Sequence, residues 1–246
     1  MKRLFDIIAA GLMLLITGPL LAVVCLMIWL HDYHSPFYFA PRVGRGGKDF
    51  RMVKLRSMVV DADRTGVSST SSADKRITPV GHFIRRCKLD ELAQMWNVLI
   101  GDMSLVGPRP NTRAWGTNLY TEDEMRLLSV RPGITDFASI VFADEGEILK
   151  GQDAPDLAYN QLIRPWKSRL GLFYIKHQNI FLDLTLVLLT AVALVSRHWA
   201  LAKISQLLKR LGAEPDLVQV ALRHDRLVPM PPPGATDIVR AYSKSH

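Results

Sequence analysis

The residues best able to do chemistry crowd into positions 89–110 (LDELAQMWNVLIGDMSLVGPRP), where the carboxylates Asp90 and Glu91 stand side by side. Leu92, Met95, Trp96, Leu99 and Ile100 follow the i, i+3, i+4, i+7, i+8 spacing of a buried helical face. The spacing predicts one amphipathic helix, with Gly101 as its C′ residue. Carboxylates at a helix N-terminus face unpaired amides and the positive end of the macrodipole, which keeps them ionised at neutral pH. That suits a hard-metal ligand or a carboxylate nucleophile better than a general acid. Alone, such a pair is an ordinary helix cap. Its cationic company changes the reading: Arg85, Arg86 and Lys88 stand just upstream, and Arg109 follows between Pro108 and Pro110. Carboxylates and guanidinium groups beside a Gly/Pro-fixed loop suit a metal-bound diphosphate.

The elements that must hold these groups flank them. Residues 37–43 and 50–55 are strand-like runs around a glycine-rich turn signal, Gly44 to Asp49, which predicts a β-hairpin. Lys54 and Arg56 lie two apart and share one face of a strand, where they meet phosphate, lipid headgroups or plain solvent. Residues 61–76 are polar and Ser/Thr-rich and read as a surface loop. Thr121 and Glu124 form a capping box, and their acidic neighbourhood reads as solvated structure rather than a metal site. Residues 131–135 (RPGIT) are a tight turn that carries a cation, Arg131. Residues 180–195 are apolar except for Thr185, Thr190 and Asp183, and are too short to span a bilayer comfortably. Basic flanks and Trp199 make them an interfacial helix, and 201–211 continue amphipathically; core packing competes for both. The tail from Ala213 holds Pro231-Pro232-Pro233 and is either extended or docked on the core. Neither an internal repeat nor a GxGxxG or Walker-type loop is present.

A formal charge of +8 over 246 residues points to an anionic partner: a membrane surface, nucleic acid or a phosphorylated substrate. Cys25 and Cys87 make no disulfide framework and no zinc site, which fits a reducing, cytoplasmic setting. Residues 4–30 are nearly all apolar, interrupted only by Asp6 and by Thr17-Gly18-Pro19. As a straight helix this segment is about 40 Å long, enough to cross a hydrocarbon core of about 30 Å and too long for a signal-peptide core. Two readings remain: a spanning helix, or one broken at Pro19 that enters and leaves by the same face. Lys2-Arg3 before it and Arg42, Arg45, Lys48, Arg51, Lys54 and Arg56 after it put positive charge on both sides, against the asymmetry of a simple span. Pro19 removes a backbone donor, so a kink is expected there. Tyr33, Phe37, Tyr38 and Phe39 then sit either at the headgroup level or in the core.

Residues 89–110 resemble the signature of the bacterial sugar transferases, the monotopic phosphoglycosyl transferases that begin lipid-linked glycan assembly. The acidic pair, the run NVLIGDMSLVGPRP and the spacing between them are all intact. Residues 50–58 (FRMVKLRSM) resemble the family's K-x-R-S-M segment, and 131–135 its R/K-P-G-I-T motif. The resemblance covers roughly residues 1–196. Gly18-Pro19 takes the place of the family's helix-breaking pair, with Gly18 where a small polar residue is usual and Thr17 as a substitute. Ala40 replaces a common glutamine, and residues 136–145 depart from the family's G-x-x-Q-x-x-G-R, which puts the sugar-recognition contacts in question.

The resemblance implies an α+β, mainly helical fold: an N-terminal re-entrant membrane helix, a small β-hairpin and interfacial amphipathic helices around a compact catalytic core. Residues 1–32 are then the re-entrant helix, 33–200 a catalytic domain on the cytoplasmic face of the bacterial inner membrane, and 201–246 a C-terminal extension. It implies transfer of a sugar 1-phosphate from a UDP-sugar to undecaprenyl phosphate, with UMP as by-product. Asp90 is the implied nucleophile, Glu91 with Asp90 the ligands of Mg²⁺, and Arg85 a phosphate-binding residue. Arg109, Lys54, Arg56 and Arg131 are further phosphate-binding candidates. The partners expected are the UDP-sugar, undecaprenyl phosphate and membrane lipid, with no nucleic acid and with a homodimer left open. A non-catalytic membrane scaffold and a UDP-sugar hydrolase are the rival readings.

Overall fold

The computed structural model describes residues 1–62, 74–113 and 116–240, so most of the Ser/Thr-rich stretch read as a loop lies outside the described residues. Helix α1 covers Lys2–Asp32 and is the one helix among the described residues long and apolar enough to cross a membrane. It does not stop at Gly18-Pro19: helical structure continues through both residues. Pro19 removes the one hydrogen bond its amide would have made, and the Thr17 hydroxyl donates to the Met13 carbonyl at 2.7 Å within the continuous helix.

Both ends of α1 are tied to the same body. At the start, Lys2 Nζ meets Asp183 at 2.5 Å and the Tyr174 hydroxyl at 3.0 Å. Arg3 donates to the Leu99 carbonyl at 2.8 Å, and buried Asp6 accepts from Ser104 Oγ and the Leu105 amide at 2.9 and 3.1 Å. Near the end, Val24 and Ile28 pack with Val53, Leu55, Ile84 and Leu89. There Asp32 accepts two hydrogen bonds from Arg56, at 2.5 and 2.6 Å.

The expected hairpin forms. Strands β1 (Phe37–Val43) and β2 (Asp49–Leu55) pair antiparallel from Phe37↔Leu55 to Val43↔Asp49. Gly46 and Gly47, at φ 69° and 76°, supply the left-handed turn that a Cβ would oppose. Helix α2 (Pro79–Arg86) follows, capped by Thr78, whose hydroxyl accepts from the Gly81 amide at 2.9 Å.

The single helix expected after Leu89 is instead two, α3 (Leu89–Leu92) and α4 (Met95–Ile100). Bonds of i→i+3 type, Gln94 to Glu91 and Trp96 to Ala93, tighten the chain between them and shift the phase of the buried stripe. Leu89, Ala93, Gln94, Asn97 and Val98 are buried with Met95, whereas Trp96 and Ile100 are more than half exposed. Asn97 carries the join to the hairpin: its Oδ1 accepts from the Val53 amide and its Nδ2 donates to the Arg51 carbonyl, both at 2.8 Å.

Strands β3 (Ser104–Val106) and β4 (Gly133–Thr135) pair in parallel, so the SLVGPRP and RPGIT segments are neighbours. A Cβ on Gly133 would lie 2.1 Å from the Gly107 amide nitrogen, which explains glycine at this crossing. Short helices α5 (Glu122–Met125), α6 (Phe137–Val141), α7 (Glu145–Ile148) and α8 (Pro155–Ala158) lead into a π-helical turn, Tyr159–Ile163. Helices α9 (Arg164–His177), α10 (Ile180–Val195), α11 (Arg197–Arg210) and α12 (Pro215–Leu222) complete the body. Leu182, Leu186 and Leu189 of α10 share one core with Leu201, Ile204 and Leu208 of α11 and Leu217 of α12, so the extension packs into the catalytic body.

The acidic capping box forms as expected, but it is not all solvated. Glu124 is fully buried, paired with Arg164 and accepting from Ser168 Oγ at 2.6 Å. Its partner lies 40 residues away, outside any local pattern.

Candidate active site

Five of the candidate cations and carboxylates, Lys54, Arg85, Asp90, Glu91 and Arg109, converge beside the β3–β4 crossing. Glu91 Oε1 accepts from Arg109 Nη2 at 2.6 Å, and Arg109 Nη1 reaches the Ile134 carbonyl of β4 at 3.4 Å. The proline-flanked loop thus holds one guanidinium between the acidic pair and β4. Burial works to raise the Glu91 carboxyl, but Arg109, with Lys54 and Lys88 behind it, outweighs that and brings it below its ordinary value.

Asp90 differs. No side-chain hydrogen bond or ion pair reaches its carboxylate among the described residues, and burial pushes its pKa up, against the pull of Lys54, Arg109 and Arg85. A helix N-terminus would pull the other way, towards the ionised form. Helix α3 is a single turn with little dipole to offer, so desolvation wins. The result is a half-buried carboxylate near three cations and locked to none of them.

Lys54, half-buried on β2 opposite Tyr38, lies within electrostatic range of Asp90, Glu91 and Arg109. Burial and the Arg109 charge lower its pKa to about 8. Arg85 donates from Nε to Ser57 Oγ at 2.9 Å and feels the Asp90 charge. Lys54, Arg85 and Arg109 therefore form the cationic side of the site. A lysine with a lowered pKa loses its proton as pH rises through that value, and with it the charge that attracts a diphosphate. We expect log kcat/KM for an anionic donor to fall above about pH 8 and Lys54→Arg to abolish that limb, as a pH–rate profile will test.

Two candidates stand elsewhere. Arg56 lies one residue beyond β2 and is spent on Asp32, clamping the end of α1. Arg131 donates from Nε to the Gly101 carbonyl at 2.9 Å, steadying the end of α4. Gly18 and Pro19 lie mid-helix in α1.

The structure adds residues that sequence patterns did not single out. Asp136 caps α6, accepting from the Ser139 amide at 2.7 Å, and its burial raises its pKa despite that bond. Lys167 of α9 pairs with Glu145 and sits 5.4 Å from the Tyr159 ring centroid. Glu145, Tyr159, Lys167 and Asp136 are all within electrostatic range of Arg109. Only the break from the family's pattern after Thr135 hinted that something different stood here.

The arrangement suits a divalent cation bridging to an anionic substrate. Asp90 offers unengaged hard oxygens and Glu91 keeps one oxygen free of Arg109. No cluster of three or more metal-ligating side chains occurs among the described residues, so a diphosphate would complete the shell.

The fold thus sets adjacent carboxylates and half-buried cations against a long apolar helix. The profile of the bacterial sugar transferases matches residues 1–197, and the chain belongs to that family. It is 40% identical over 195 residues to the undecaprenyl-phosphate glucose phosphotransferase of Komagataeibacter xylinus, covering 77% of this chain and 35% of that protein. Over 191 residues it is 34% identical to a UDP-N-acetylgalactosamine-undecaprenyl-phosphate N-acetylgalactosaminephosphotransferase of Aeromonas hydrophila, covering 77% of this chain and 42% of the relative. An uncharacterized sugar transferase, EpsL, of Bacillus subtilis is 34% identical over 190 residues, covering 77% and 85%. The chain thus spans less than half the length of the first two relatives.

Proposed function

We propose that the protein transfers a sugar 1-phosphate from a UDP-sugar to undecaprenyl phosphate, releasing UMP, through a covalent phospho-sugar on Asp90. The observation that carries this is the Asp90 carboxylate: half-buried, unpartnered among the described residues, and flanked by Lys54, Arg85 and Arg109. An Asp90 oxygen attacks the phosphorus that bears the sugar, and the bond to the bridging oxygen breaks, so that UMP leaves with the electron pair. An oxygen of the lipid phosphate then attacks the same phosphorus and displaces Asp90. Lys54, Arg85 and Arg109 hold the phosphoryl oxygens, and the Glu91 pairing fixes the Arg109 fork so that little freedom is lost on binding. Mg²⁺, held by Glu91 and Asp90, would neutralise diphosphate charge and ease departure of the leaving group.

The acceptor reading draws on the apolar surfaces. A cavity of about 420 Å³ lies between α1, the hairpin and α4, lined by Leu14, Leu21, Phe37, Phe39 and Trp96 among others. Its wall includes Ala93, three residues after Asp90, and this nearness supports an isoprenoid chain lying beside the reacting carboxylate. Phe181, Leu184, Leu188, Val195 and Trp199 are exposed at helical spacing along α10 and α11, as an interfacial helix would present them.

Attachment of both ends of α1 to one body favours the re-entrant arrangement, since a spanning helix would carry its ends to opposite faces of the bilayer. The catalytic domain then lies on the cytoplasmic face of the inner membrane. In sealed vesicles, cysteines placed at Arg3 and Ser35 should react with an impermeant thiol reagent from the same side; labelling from opposite sides would exclude re-entry.

The reaction is tested by UMP release from a panel of UDP-sugars with undecaprenyl phosphate and Mg²⁺. Release from one sugar that needs both lipid and metal supports the transferase. Release without lipid would favour a hydrolase, and none at all from a folded, nanodisc-held protein a scaffold.

A further inference from the structure

Residues after 197 lie beyond the family match, yet the end of the chain grips the catalytic body at four points. The Met230 amide donates to the Gln161 carbonyl at 3.1 Å, and Gln161 Nε2 donates to the Val239 carbonyl at 2.6 Å. Arg169 Nη1 reaches the Pro231 carbonyl at 3.1 Å, and Thr121 Oγ1 the Pro233 carbonyl at 2.5 Å. Gly234, at φ 77°, passes so close to Asp123 that a Cβ would come within 2.9 Å of its carboxylate. The three prolines stiffen the tail, so little chain entropy is lost when it docks.

Gln161 is the middle residue of the π-helical turn. Its carbonyl would ordinarily receive the amide four residues on, but that residue is Pro165, which has none. The tail supplies Met230 instead, and the Gln161 side chain takes a second hold. The same turn begins with Tyr159, which lies beside Lys167 and within electrostatic range of Arg109. π-Turns are rare and costly, and one at this position sets the direction in which Tyr159 leaves the helix.

We propose that residues 224–240 are a strap that holds this π-turn in register, with Gln161 as the positioning residue through which it sets the Tyr159–Lys167 pair beside Arg109. The proposal rests on the donor-binding reading given above. Tyr159 and Lys167 lie within electrostatic range of Arg109, which holds phosphoryl oxygens in that reading, so the strap acts on donor binding.

The test compares the full chain with Gln161→Ala, Thr121→Val and a chain ending at Arg223, all in nanodiscs. KM for donor and for undecaprenyl phosphate, kcat and amide hydrogen exchange over residues 159–163 are read for each. Gln161→Ala and the truncation should raise donor KM about tenfold, the scale of a lost positioning hydrogen bond, with acceptor KM and kcat within about threefold. Thr121→Val, which frees the Pro233 end and also removes the hydroxyl that caps α5, leaves both Gln161 contacts in place and should raise it less. Exchange over 159–163 should quicken in the same order. Donor KM unchanged in Gln161→Ala, or donor and acceptor KM rising together, would overturn the strap. Should the truncated chain fail to fold, the two point variants decide the matter. If the wild type released no UMP, the activity reading would fail by itself, and unaltered exchange in Gln161→Ala would still reject the strap.

Discussion

Asp90→Asn is expected to lower formation of the lipid-linked product by roughly four orders of magnitude or more, the scale on which loss of a covalent nucleophile is felt. Asparagine keeps the shape of the side chain and its place on α3, so Lys54, Arg85 and Arg109 stay where they are. What it loses is the carboxylate oxygen that forms the bond to phosphorus. Donor affinity should change by less than about tenfold, because Lys54, Arg85 and the Glu91-fixed Arg109 still hold the diphosphate and the asparagine keeps a carbonyl oxygen for the metal. Stability should hold or rise. A carboxyl whose folded pKa is raised destabilises the native state at pH above its unfolded value, and the substitution removes that cost. Turnover within tenfold of wild type in a folded Asp90→Asn protein would end the covalent account.

Glu124→Ala is expected to cost about 3–5 kcal/mol, because it strands the Arg164 guanidinium in a fully buried position. Arg164 keeps contacts with Asn160 Oδ1 at 3.0 Å and with the Tyr120 ring, but no other carboxylate is paired with it among the described residues. The penalty is desolvation of an unpaired charge, not the loss of one contact. In a chain of this size the midpoint of thermal unfolding should fall by roughly 10 °C. Replacing both partners, as Glu124→Leu with Arg164→Met, should recover most of the loss, since an apolar pair of similar volume needs no compensation. A loss under 1 kcal/mol in the single variant would mean that water or another group reaches Arg164. Because α9 begins at Arg164 and carries Lys167 one turn later, the single variant should also weaken donor binding.

What could be read from the chain was what local periodicity and spacing encode. The hairpin followed from alternation around Gly44–Lys48, and the reactive pair from adjacent carboxylates between clusters of cations. Membership of the family followed from the segments 50–58, 89–110 and 131–135, and the last two turn out to be partners in one parallel sheet. Apolar spacing, however, reports a period and not what covers a face. Trp96 and Ile100 fit the buried stripe but lie exposed, because a tightened turn at Ala93-Gln94 rotates α4. Charge type is equally blind to partners. Nothing in the local pattern of Arg56 and Arg131 pointed to Asp32 beside the one or to the Gly101 carbonyl beside the other. Glu124 looked solvated, and its partner stands 40 residues on. Tyr159, Lys167 and the strap were unreadable for the same reason: each matters through a contact made across the fold.

The most direct test of the account uses a UDP-sugar carrying ³²P in the phosphate attached to the sugar, mixed with the nanodisc-held protein and Mg²⁺ before any undecaprenyl phosphate is added. The account predicts a burst of UMP, label on the protein at no more than one per chain and confined to the peptide containing Asp90, and passage of that label into lipid once the acceptor arrives. Asp90→Asn should take up none. Lipid-linked product formed with no labelled protein, and UMP appearing only after the acceptor, would show direct transfer and contradict the central claim.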